Sequence, residues 1–179
     1  MSQASKHLDW CLNKAKREIE ECKNQGKRIK HRGLLKIKPD LEKAKEHIEK
    51  AEYDLEVTEY LKKGNFLDIG ESTVFYSMYH CFLAIAAKFG YESSNQTCTI
   101  ALVEYLKEEG KINIDSRFID MFKYKESEEE KKDSIIEMRE DYTYSTKRSF
   151  NETKINTFIE MCKELIEITK EIIFENIED

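Results

Sequence analysis

STVFYSMYHCFLAIAAKFG, residues 72–90, carries two apolar faces on one helical period. Phe75, Met78, Tyr79, Phe82, Ala86 and Phe89 follow three- and four-residue steps and form the larger face. Ser77, His80, Ala84 and Ala87 form a second face of smaller residues. A helix that is apolar on two sides has to be covered on two sides, so this one is expected at the centre of a bundle. Its small-residue face would admit close approach by another helix or by a second protomer.

The segments around it fit an all-α chain. Residues 5–22 place Leu8, Cys11, Leu12, Ala15, Ile19 and Cys22 on one stripe, which predicts a first helix. Pro39 and Asp40 make a helix start, after which Leu41, Ala44, Ile48, Ala51, Leu55 and Thr58 run to a stop at Gly64. Asp68 and Glu71 have capping-box spacing ahead of the central helix, and a start nearer Asn65 is the other reading. Further helices are predicted over 97–109, 116–124 and 134–140. A last helix opens on the capping box Ser149 and Glu152, with Ile155, Phe158, Ile159, Cys162, Leu165, Ile166, Thr169, Ile172 and Ile173 facing the core. With one Pro and six Gly in 179 residues, helices are favoured over turn-rich β architecture. The expected fold is an up-and-down bundle of four or five helices, with an N-terminal helical arm and short extra helices.

Residues 1–38, an N-terminal helix and a basic connector, are expected to stand apart from the bundle of 39–179, the whole forming one folded unit. The net charge of −6 is unevenly spread. Residues 23–38 hold seven Lys and Arg, together with His31, and no acid, so this segment alone suits an anionic partner. It has no helical period and two glycines, and is expected to be a connector without regular structure. Lys27, Arg28, Lys30, His31 and Arg32 are its candidate contacts to a nucleic acid. A solvated linker that offsets acidic surface elsewhere is the other reading. The charged stretch 125–133 is expected to be a solvated loop.

Nothing in the chain is long and apolar enough to span a membrane, since the longest apolar run within the central helix is 81–87 against a requirement of ~20 residues. No apolar signal core opens the chain, and a cytoplasmic protein is expected. Five cysteines without a CxxC pair, most of them at apolar helix positions, are expected to be structural thiols rather than metal ligands or disulfides. No phosphate-binding glycine loop, HExxH or nucleophile elbow is present, and neither metal nor cofactor is expected.

A helix ending in Gly64, followed by NFLDIGESTVFYSMYHCFLAIAAKFGYES, resembles the aromatic–aromatic–small–aromatic–His centre of HEPN-domain proteins, carried here by Phe75, Tyr76, Ser77, Met78, Tyr79 and His80. The likeness extends to Arg139, Asp141 and Tyr142 in MREDYTY and covers about residues 39–177. The resemblance implies a helical bundle that is usually a homodimer. It also implies roles in toxin–antitoxin pairs with separately encoded nucleotidyltransferases, in ribonucleases, or in nucleotide- and RNA-binding modules.

The ribonuclease branch of that family uses an Arg and a His four to six residues apart, since Arg holds a phosphate and His moves a proton near neutral pH. None of the six arginines, Arg17, Arg28, Arg32, Arg117, Arg139 and Arg148, has a His at that distance. Arg139 has Tyr144 there, and a phenol is a poor general base at neutral pH. The expected function is therefore a non-catalytic, dimeric HEPN-like module that binds a nucleotide, RNA or a partner nucleotidyltransferase. The small-residue face of the central helix is the expected dimer contact or ligand site. The alternative is a metal-independent ribonuclease toxin with a degenerate site. Tyr76, His80, Arg139, Tyr142 and Tyr144 are the ligand-binding candidates. Tyr76, Tyr142, Tyr144 and Arg139 form either a base-stacking groove or simple aromatic packing, and His80 is either a ligand contact or a hydrogen-bonded core histidine.

Overall fold

The computed structural model describes residues 2–123, 135–144 and 152–174, without the side chains of 67–68, 137–138 and 141–143. The chain runs α1 (Gln3–Asn24), β1 (Leu34–Lys36), α2 (Leu41–Lys63), α3 (Leu67–Lys88), β2 (Tyr91–Ser93), α4 (Gln96–Glu108), α5 (Ser116–Asp120), α6 (Ile135–Tyr144) and α7 (Glu152–Phe174). The charged stretch 125–133 and Ser149 lie outside the described residues.

Local chemistry sets most helix ends. Asp40 caps α2 by accepting from the Lys43 amide at 2.8 Å, with Pro39 just before the cap rather than in the first turn. Gly64 caps its far end, and the left-handed residue that turns the chain is the next one, Asn65 at φ 61°. α3 opens at Phe66 with no side-chain cap, so the start near Asn65 holds and the Asp68–Glu71 spacing does not start the helix.

α3 is central. It packs against α2, α7, α6 and α4, and Phe75, Met78, Phe82 and Ile85 are fully buried. α2 and α3 form an antiparallel hairpin. α7 runs parallel to α3, pairing Ser77 with Cys162 and Lys88 with the Ile173 carbonyl, and it lies antiparallel to α2. Phe75 and Phe82 gather Phe122 from the end of α5, and Phe75 stacks on Tyr79. This is the all-α bundle the sequence predicts.

Three expectations change. The small-residue face of α3 does not await a second protomer. Ser77 donates to the Ala51 carbonyl at 2.6 Å, while Ala84 and Ala87 pack on Ala44, Ile48 and Ile173, so α2 and α7 cover it. Residues 23–38 are not structureless either. Leu34–Lys36 pairs antiparallel with Tyr91–Ser93, Leu34 opposite Ser93 and Lys36 opposite Tyr91. Finally, two of the expected free thiols are joined. Cys11 of α1 and Cys98 of α4 form a disulfide across 87 residues, and Cys22, Cys81 and Cys162 remain as thiols.

Candidate functional site

The α2–α3 seam is a ladder of polar pairs set about one helical turn apart. Thr58 and Thr73 share a 2.6 Å hydrogen bond, Ser77 bonds α2 at Ala51, and His47 meets His80 with their Nδ1 atoms 2.9 Å apart. The two ring centroids lie 5.2 Å apart, as far as that nitrogen gap and two ring radii allow, so the nitrogens face each other head-on. Head-on lone pairs do not converge on a shared metal ion. They suit a single N–H···N hydrogen bond, with one ring donating and the other accepting. Neither Nε2 has a hydrogen-bond partner among the described residues, and both histidines are half-buried.

Both imidazoles are held below the ordinary histidine range. Burial lowers His47 to about 4, with the His80 and Lys43 charges acting in the same direction. Burial also lowers His80, and the Asp54 carboxylate partly restores it. Asp54 is itself buried and takes Lys50 at 2.5 Å. At neutral pH the pair is uncharged.

Arg139 lies elsewhere. From α6 its guanidinium stacks over the buried Phe75 ring at 4.8 Å and reaches Glu140 at 3.5 Å. Tyr76 touches the same Phe75 edge-on and is 46% exposed. Tyr144 ends α6 at 81% exposure, and the Tyr142 side chain is outside the described ones. The structure thus gathers Tyr76 and Arg139 around Phe75, while His80 turns to α2.

His47 was missed by the sequence reading. The available signal was its place beside the Ala44–Ile48–Ala51 stripe, about as far from the Gly64 turn as His80 is on the other arm of the hairpin.

The basic residues are presented on a held backbone. The Arg32 amide donates to the Glu18 carboxylate of α1, and His31 reaches Glu92 at 3.5 Å and Ser94 at 3.4 Å beside β2. Ile37 donates to the Gly90 carbonyl at 2.8 Å. All seven Lys and Arg residues of 23–38 are exposed, whereas the His31 side chain is buried against Glu92 and Ser94, so His31 is not presented with the other candidate contacts.

A family model of the HEPN domain matches residues 44–176. The chain belongs to the HEPN-domain family. No curated protein and no solved structure matches it. The matched region takes in nearly all of α2 and the whole of α3, α6 and α7, and leaves α1 and the basic ribbon outside. No helix among the described residues of this HEPN chain is long and apolar enough to cross a membrane.

Proposed function

We propose that this HEPN chain is a non-catalytic, dimeric binding module that takes RNA or a nucleotide through the phosphate contacts of Lys27, Arg28, Lys30 and Arg32. Family membership favours a nucleotide- or RNA-related role. The observation that carries the reading is the ribbon itself: seven exposed cations on a backbone pinned by Glu18, Gly90 and β2, with no acid among them. Like charges held together gain from neutralisation by phosphates, and fixing their backbone in advance lowers the ordering cost of binding. The missing Arg–His spacing supports the non-catalytic half of the reading, as does the engagement of Arg139 with Phe75 and Glu140.

The dimer contact moves with the fold. Since the small-residue face is covered, Tyr76 and Leu83, seven residues apart on α3, are the better candidates; Tyr76 is exposed and Leu83 half-buried. Light scattering at micromolar concentration should give about twice the 21.2 kDa chain mass, and a monomer would refute the dimer.

Binding is tested by fluorescence anisotropy on a labelled single-stranded RNA. Changing Lys27, Arg28, Lys30 and Arg32 together to Gln should weaken binding at least about tenfold at low salt. It should also flatten the slope of log affinity against log salt by about 3, close to 0.7 for each of four lost phosphate contacts. Unchanged affinity and slope would assign the ribbon a solvent role only.

A ribonuclease reading has one observation in its favour, the second ring nitrogens of the half-buried His47–His80 pair, one able to donate and the other to accept. Incubation with RNA in the presence of a chelator should leave the RNA intact. Cleavage that disappears in folded His80→Ala or Arg139→Ala would replace the binding module with the enzyme.

A further inference from the structure

The part of the chain that carries the cations lies outside the matched family domain and is attached to it through α1 on α4 and β1 on β2. α1 packs chiefly on α4 and β1. The residues it buries are Ala4, Leu8, Cys11 and Ala15, with Leu8 the one large aliphatic among them. Leu12, half-buried, packs on the same core, so two large aliphatic side chains anchor a 22-residue helix, and an element with so few buried anchors opens locally before the whole domain does. What strengthens the attachment is covalent. The Cys11–Cys98 disulfide joins the middle of α1 to the first turn of α4, and both cysteines are fully buried.

The ribbon depends on this docking. Gly33 lies directly against the Cys11 carbonyl and the Ala15 amide, the Arg32 amide is held by Glu18 of the same helix, and Leu34 is buried in the cluster that contains Leu8 and Cys11. If α1 leaves α4, one side of β1 loses its support.

We propose that thiol–disulfide exchange at Cys11–Cys98 switches the N-terminal arm between a docked state, which holds the basic ribbon in place, and a released state, which does not. An incoming thiolate, from a low-molecular-weight dithiol, attacks one sulfur when α1 opens locally, and the other cysteine leaves as a thiolate and takes a proton. The reagent's second thiol then resolves the mixed disulfide. The net change is two electrons: the protein disulfide becomes two cysteine thiols and the dithiol becomes its own disulfide. Burial of the bond makes the exchange wait on opening of α1, so its rate follows the opening of the arm. The consequence for anion binding rests on the function proposed above, while the switch itself does not.

The test uses the full chain, oxidised and after treatment with a dithiol reductant, under pulse proteolysis with trypsin and mass mapping of the cuts. Cleavage within residues 23–38 should run at least about tenfold faster after reduction, with sites in α2, α3 and α7 unchanged. Cys11→Ser and Cys98→Ser should show the fast pattern without reductant. Cys22→Ser, at a half-buried thiol outside the bond, should behave as the parent in both states. Equal cutting in the two states overturns the switch. So does an equal acceleration throughout α2, α3 and α7, which would make the bond a staple for the entire domain. RNA anisotropy on the same samples separates the two proposals. Redox-dependent cutting with no RNA binding in either state keeps the switch and removes the anion ligand. Tight binding by the ribbon with redox-independent cutting does the reverse.

Discussion

Gly33→Ala should lower the thermal midpoint by roughly 6–12 °C in circular dichroism melts. A Cβ built at residue 33 would lie 2.4 Å from the Cys11 carbonyl oxygen and 2.8 Å from the Ala15 amide nitrogen. Both are backbone atoms inside a helix, so neither yields as the end of a long side chain would. The way to make room is to move α1 as a unit, yet Cys11 is tied to Cys98 and Leu8 is buried beside it. Overpacking of this kind costs about 3 kcal/mol, and in a chain of this size each kcal/mol moves the midpoint by about 2–4 °C. Gly26→Ala is the matched control. Gly26 has φ 61° but nothing within 4 Å, so it bears only the backbone cost of about 1 kcal/mol. Equal melts for the two variants would show that α1 does not press on the ribbon.

The fold was legible because its central helix was. Residues 72–90 state their own geometry: apolar side chains on two sides require helices on two sides, and α2, α4, α6 and α7 supply them. The ends of α2 could be read from Asp40 and Gly64 for the same reason, since caps are local chemistry. What escaped was what depends on contacts far apart in sequence. Cys11 could be placed on the apolar stripe of its helix, but its joining to Cys98 follows from α1 lying on α4, and 87 residues of spacing do not show that. β1 escaped for a similar reason. Three residues, Leu34–Lys36, have too little alternation to announce a strand, and they become one through the partner edge that β2 provides just after Gly90 turns at φ 76°. The same physics divides the candidate site. His80 was recognised as a polar residue on a small-residue face, but a face does not name its occupant. The hairpin brings His47 to it and not Arg139, which α6 carries onto Phe75 instead.

Acidification should destabilise the bundle through that histidine pair before most carboxylates titrate. A histidine with a lowered pKa binds fewer protons in the folded chain than in the unfolded one. Its stabilising effect is therefore complete above the unfolded value of 6.5 and is lost as pH falls toward the folded value, about 4 for His47. The order of protonation follows from the surroundings. Asp54 favours charge on His80, while Lys43 and Lys50 oppose it. The first proton can go to His80 and leave the hydrogen bond intact, because a protonated His80 still donates from Nδ1. A second proton would place two N–H groups head-on at 2.9 Å, which is why the His80 charge holds His47 down. Taken at face value the His47 shift is worth about 3.4 kcal/mol, and discounting for the ring's partial exposure leaves roughly 1–2 kcal/mol. Urea midpoints at pH 7.5, 6.0 and 4.5 should fall steadily for the parent chain. His47→Gln, whose amide can still bond the His80 ring but does not titrate, should lose less stability over the same range, though it starts lower. Parallel pH profiles for parent and variant would mean that His47 binds protons equally in the folded and unfolded chain, and that burial in the α2–α3 seam does not keep the pair uncharged.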